Sequence, residues 1–127
     1  MSKARVLLVE DDMLIRTLVV EALEEAGYQV TQAADGDEAD SKLDDADGFN
    51  LLLTDLQMPG SLDGIGIARK ARERHSDIPI IYMTGRPDML RRLGPIDSRQ
   101  AILLKPCPLS QILGAVARLL GGGDART

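Results

Sequence analysis

Apolar positions along the chain alternate between two habits. Short unbroken runs end abruptly in polar residues, and longer segments return an apolar residue every three or four positions. Arg5-Val6-Leu7-Leu8-Val9 is a run of the first kind, stopped by Glu10-Asp11-Asp12. Such a run suits a strand covered on both faces. Over residues 13–26, Leu14, Leu18, Val19, Ala22 and Leu23 recur at helical spacing, and Gly27 supplies the stop. Residues 28–33 read as a second strand and 37–43 as a second helix, which leads into a polar stretch over 44–48. The buried strand predicted over 49–55 ends on the carboxylate of Asp55. After the turn Met58-Pro59-Gly60 the pattern predicts a helix over 64–74 and a strand over 78–84, with Pro79 tolerated at its beginning. A short helix over 87–93 closed by Gly94-Pro95, a strand over 101–104 and a last amphipathic helix over 108–120 complete the reading.

Strand then helix, five times over, calls for an α/β protein with an open parallel sheet and helices on both faces. Right-handed crossovers leave few topologies, and five units fit a flavodoxin-like, doubly wound sheet of order 2-1-3-4-5 with five helices. In such sheets ligands bind beyond the carboxyl ends of the strands, where the strand order reverses. The predicted strands end in Glu10-Asp11, Asp55, Thr84 and Lys105. All the evident chemistry therefore falls on one edge.

Bulk properties narrow the class further. A chain of 127 residues, 44% hydrophobic and 28% charged, reads as one globular domain over 1–127, with a core from about 5 to 120 and a flexible tail over 121–127. One Cys allows no internal disulfide, which suits a reducing compartment. Neither a secretory leader nor a spanning apolar run is legible, so a cytoplasmic protein without membrane contact is expected. A formal charge of -5 argues against direct nucleic-acid binding, which needs clustered Lys and Arg.

Three carboxylates converging at one edge raise each other's pKa unless a cation neutralises them. Mg2+ prefers oxygen ligands and binds one or two carboxylates together with a phosphate. Glu10, Asp11 and Asp55, with one backbone carbonyl from the loop after Asp55, form a donor set for it. A carboxylate can also accept a phosphoryl group as a mixed anhydride, which makes Asp55 the candidate nucleophile. Lys105 is a point charge for phosphoryl oxygens, and Thr84 offers a hydroxyl donor.

The sequence Val6-Leu7-Leu8-Val9-Glu10-Asp11-Asp12, then Asp55-Leu56-Gln57-Met58-Pro59-Gly60, then Met83-Thr84-Gly85, then Lys105-Pro106 resembles the receiver domain of two-component response regulators, of the chemotaxis-regulator type. The resemblance covers about residues 5–120. It implies a phosphoacceptor signalling domain rather than an enzyme. Glu10 and Asp11 would form the acidic metal site, Asp55 would be the phosphoacceptor, and the Gln57 carbonyl would lie on the metal. Thr84 would be the switch hydroxyl, and Lys105, in a cis Lys105-Pro106 pair, the phosphate contact. Mg2+ is the implied cofactor, with Mn2+ as a substitute. The implied partners are a sensor histidine kinase or histidine phosphotransfer protein and an unknown downstream protein, with the receiver a monomer or weak dimer. Asp12 is either an accessory acid or the N-cap of the first helix.

Two departures stand out. Such receivers commonly carry an aromatic three residues before the lysine, where this chain has Ile102, so the usual threonine and aromatic coupling needs another carrier. The loop over 58–64 is also one residue longer than the common form. Gln57 and Arg86 occupy positions that in this family line the path of attacking water and tune phosphoryl lifetime. A pseudo-receiver that binds partners without phosphorylation is the nearest rival, and Ile102 is its best argument. An aspartyl-phosphate phosphatase would need a second Asp where Gln57 stands. Gly64-Ile65-Gly66 lacks the third Gly of a dinucleotide fingerprint. His75 reads as a solvated residue at a helix end, Cys107 as a packed or partly exposed thiol, and Arg86, Arg91 and Arg92 as a solvated basic face.

Overall fold

The structure, a computed structural model, describes residues 3–45 and 48–121; the tail expected over 121–127 lies, beyond Gly121, outside the described residues. Strands β1 (Arg5–Val9), β2 (Gln29–Ala33), β3 (Leu51–Asp55), β4 (Ile80–Thr84) and β5 (Gln100–Leu104) alternate with helices α1 (Met13–Glu25), α2 (Gly36–Lys42), α3 (Gly64–Arg74), α4 (Leu90–Leu93) and α5 (Leu109–Leu119). A 3-10 turn, Pro87–Met89, leads directly into α4. All strand pairs are parallel and the order is β2-β1-β3-β4-β5. The two central strands next to the reversal, β1 and β3, are almost wholly buried, as their unbroken apolar runs require.

Period-two alternation sends successive side chains of each strand to opposite layers. Leu7, Val9, Leu52, Ile80 and Tyr82 join the layer under α2 and α3. Val6, Leu8, Leu51, Leu53, Ile81 and Met83 join the layer under α1 and α5. The strands over 49–55 and 78–84 begin two residues later than the pattern suggests, at Leu51 and Ile80. Phe49 and Ile78 are buried all the same; burial alone does not make a ladder, and the hydrogen bonds start further in. Helix α1 turns differently from its expected face. Leu14 and Leu18 are exposed, and the stripe that meets the sheet is Ile15, Val19 and Leu23.

Helices α1, α2 and α3 are each started by a carboxylate, whereas α4 and α5 begin at Met89 and Pro108 without a side-chain cap. Asp12, Asp35 and Asp63 occupy N-cap positions and accept from the backbone N–H of Ile15, Glu38 and Gly66, satisfying donors the first turn leaves open. The long loop over 58–64 is folded onto the body. Its Leu62 sits so close to Gly36 and Gly66 that a Cβ at either would collide with it, and Arg92 of α4 pairs with Asp63 at 3.1 Å. Gly64 is tighter still: a Cβ there would overlap the Asp55 carbonyl oxygen and come within 2.8 Å of the Leu56 Cα. Gly64→Ala is therefore expected to lower stability by about 3 kcal/mol, an overpacking cost against backbone that cannot yield. Gly114→Ala, in open space on α5, should raise stability by about 0.5–1 kcal/mol by removing a helix-interior glycine. Urea unfolding of both variants checks the pair; equal effects would contradict the crowding at Gly64.

Candidate functional site

Parallel strands deliver their C-terminal residues to one edge, and there the chain places its charged groups. Glu10 follows β1, Asp55 closes β3, Thr84 closes β4 and Lys105 follows β5. One carboxylate oxygen from each of Glu10, Asp11 and Asp55 lies within 4.8 Å of the others. Glu10 is fully buried and Asp55 nearly so, while Asp11 faces solvent. The Lys105 Nζ reaches across the sheet to donate to Asp55 Oδ2 at 2.6 Å and Glu10 Oε1 at 2.9 Å. The bond between Lys105 and Pro106 is cis.

Backbone and side-chain bonds hold the carboxylates in place. Asp55 Oδ1 accepts from the Gln57 backbone N–H at 3.1 Å, and Glu10 Oε2 accepts from Asp12 N–H at 3.0 Å. Arg16 of α1 donates to the Glu10 carbonyl at 2.9 Å and to Gln32 of β2 at 3.0 Å, tying the end of β1 to its neighbours. Burial is the chief reason the Glu10 carboxyl lies above its ordinary 4.5; bonds from Lys105 and Asp12 only partly offset it. Burial would depress Lys105, yet its hydrogen bonds to Asp55 and Glu10 prevail and lift it above 10.5. One ammonium thus serves two carboxylates, with the third, Asp11, within 4.8 Å of both, an imbalance that a further cation would relieve. The donor set is all oxygen, which fits a hard divalent ion. A cleft of about 410 Å³ lined by Asp11, Gln57, Met58 and Pro59 opens beside it.

Thr84 is buried, and its hydroxyl is turned onto its own loop. It accepts from Arg86 N–H at 2.9 Å and donates to the Arg86 carbonyl at 3.1 Å. The Arg86 side chain leans outward on Asp88 at 2.8 Å, and Asp12 serves as a cap. Of the basic face on the fourth helical segment, Arg86 and Arg92 are each paired with a carboxylate. His75 caps the end of α3 and is exposed. Cys107 is half-buried, with Sγ 3.4 Å from Gln111 Oε1, and burial raises its pKa, which makes it a poor nucleophile.

Sequence reasoning passed over Tyr82. It pairs with Ile102 across β4 and β5, so an aromatic does stand in the layer where Ile102 left one wanting, supplied by the neighbouring strand. The available signal was a phenol inside an otherwise apolar run.

The family model for the response regulator receiver domain matches residues 6–117. The response regulator receiver protein CpdR of Brucella abortus is 38% identical over 91% of this chain and 96% of its own length. A response regulator receiver protein from Sinorhizobium medicae superposes with a TM-score of 0.86 at 28% identity, covering 94% of this chain and 95% of that one. The response regulator TrrA of Thermotoga maritima, solved in complex with Mg(2+)-BeF, gives a TM-score of 0.79 at 28% identity over 91% and 98% of the two chains.

Proposed function

The chain belongs to the response regulator receiver domain family of two-component signalling, and from that premise we propose that Asp55 accepts a phosphoryl group from a histidine kinase or histidine phosphotransfer protein, with Mg2+ or Mn2+ as cofactor. The observation that carries this reading is the meeting of Glu10, Asp11 and Asp55 within 4.8 Å under a lysine 2.6 Å from Asp55. Glu10, Asp11, Asp55 and the Gln57 carbonyl would hold the ion. When bound, it would neutralise charge on the phosphoryl oxygens.

In the transfer a carboxylate oxygen of Asp55 attacks phosphorus, the phosphorus–nitrogen bond to the donor imidazole breaks, and its electron pair stays on nitrogen. An acyl phosphate results. Lys105, already at Asp55, supplies a fixed positive charge to the incoming oxygens. Thr84 would trade its bonds to Arg86 for one to the phosphoryl group, freeing the loop that starts the Pro87–Met89 turn. That exchange would switch the affinity for a downstream protein, provided that the partner binds the two states differently. The whole of 1–127 is read as one receiver unit. Among the described residues no helix is long and apolar enough to cross a membrane; a cytoplasmic setting goes with the proposal.

The test is incubation with acetyl phosphate, with and without Mg2+, followed by intact mass. A gain of one phosphoryl group only with Mg2+ is expected. No gain, together with no binding of a beryllofluoride mimic, would favour a module that binds partners without phosphorylation. A second expectation concerns lifetime. Gln57→Ala and Arg86→Ala should each change the dephosphorylation rate by about 3–10-fold, the scale of modest changes in water positioning. Unchanged rates in both would remove them from the water path.

A further inference from the structure

The buried phenol of Tyr82 has a hydrogen-bond inventory that does not close. Gln100 Oε1 accepts from the Asp97 backbone N–H at 2.9 Å. A backbone N–H can only donate, so this bond fixes which end of the amide is oxygen. Its other end, Nε2, therefore donates to the Tyr82 hydroxyl at 2.6 Å. The phenol is spent as an acceptor there, and its own O–H has no acceptor among the described residues. Tyr82 is 2% exposed, and burial, which outweighs the Gln100 bond, raises its pKa above 10.0. At neutral pH it keeps its proton and remains a donor. A buried donor without a partner is uncommon enough to require a cause.

Tyr82 and Gln100 line a notch of about 160 Å³ between α3 and the α4–β5 edge, walled by Ala68 and Leu93 and flanked by Arg69 and Arg72. Arg72 is committed, its Nε to the Ile78 carbonyl at 2.9 Å and its NH1 to Asp97 at 3.1 Å. Arg69 is exposed, and among the described residues no carboxylate lies within 4.0 Å of it. The volume is below the roughly 300–1,000 Å³ of small-molecule sites. It has room for one side chain.

We propose that this notch is a docking site for an acidic side chain of a partner protein, whose carboxylate takes the Tyr82 O–H at the floor and faces Arg69 at the rim. A carboxylate answers both features: it accepts the hydrogen bond and is drawn by the guanidinium. A neutral amide or water would satisfy the phenol but bring no opposite charge to Arg69, so the charge-assisted part of the interaction would be lost. The notch shares no residue with the acidic edge, so it stands apart from the phosphoacceptor reading.

The probes are N-acetyl-glutamate N-methylamide and the matching glutamine diamide, titrated at constant ionic strength into the full chain and followed by NMR at the Gln100 side-chain amide and the Arg69 Nε–H. The glutamate probe should give saturable shifts with a half-point on the order of 10 mM, and the glutamine probe should bind at least about five-fold more weakly. Tyr82→Phe, which keeps the ring, and Arg69→Gln, on the surface, should each weaken the glutamate probe by about five-fold. Their dispersed amide spectra report that the fold survives. Equal response to the two probes, shifts that persist in both variants, or no saturation by about ten times the expected half-point would overturn the proposal and leave the notch to water. Acetate binding as tightly as the glutamate probe would also overturn it, in favour of a free small carboxylate.

Discussion

Asp55→Asn is expected to abolish the Mg2+-dependent phosphoryl gain entirely while leaving the protein folded. An amide nitrogen has no lone pair free to attack phosphorus, and its oxygen is far less basic than a carboxylate. The structural consequences are small but specific. Asp55 accepts from Gln57 N–H through Oδ1 and from Lys105 through Oδ2. Asn has a single acceptor, so one of the two donors loses its partner. Against this, one carboxylate leaves a cluster of three, of which two share a single ammonium. The repulsion relieved offsets the bond lost, and the thermal midpoint of the metal-free protein should move little. Mg2+ binding should weaken by about tenfold or more, because one charged ligand of three is gone. Intact mass with acetyl phosphate, calorimetric titration with Mg2+ and a thermal scan read these separately. A phosphoryl group appearing in the variant would show that another residue is the acceptor.

Lys105→Met is expected to have the larger effect on stability. Among the described residues its ammonium is the only cation paired with the carboxylates of Glu10 and Asp55, whose side chains are 1% and 9% exposed. Removing it leaves two buried carboxylates facing each other. Breaking a buried pair from one side costs several kcal/mol, and the opening at Asp11 lets solvent in, so the loss should be about 3 kcal/mol. On the proposed reading, Mg2+ at the acidic edge would compete with Lys105 in the native protein and would have no competitor in the variant. A saturating ion stabilises by about 2.7 kcal/mol at a hundredfold its dissociation constant, and that contribution should be greater for the variant. The gap in urea stability between the two proteins should therefore narrow when Mg2+ is added. A gap of the same size with and without Mg2+ would mean that the ion and the lysine do not act on the same carboxylates. Phosphoryl uptake should also slow by about a hundredfold, the usual consequence of losing one preplaced positive group.

CpdR matches over nearly its whole length, and the acidic edge is built from residues at strand ends, the part of such a sheet least free to drift. A strand's last residue is placed by the ladder behind it. Glu10, Asp55, Thr84 and Lys105 were legible as residues of one edge for that reason: once five parallel strands are granted, their carboxyl ends must share it. Asp12 was legible only as an alternative, because an acid opening a helix reads the same whether it caps or binds; here its oxygen takes the Ile15 N–H.

By itself the sequence determined the element order, the strand order and the edge on which the chemistry stands, because hydrophobic period, glycine stops and right-handed crossovers are local or topological constraints. Contacts between residues distant in the chain were decided by the tertiary structure. It turned Leu14 and Leu18 of α1 toward solvent, wedged Leu62 against Gly36 and Gly66, and brought Lys105 onto Glu10 and Asp55, which lie 95 and 50 residues away. It also set Tyr82 beside Ile102 and bound its phenol to Gln100. Register between neighbouring strands chooses such pairs, and register is a property of the packed sheet that neither strand carries alone.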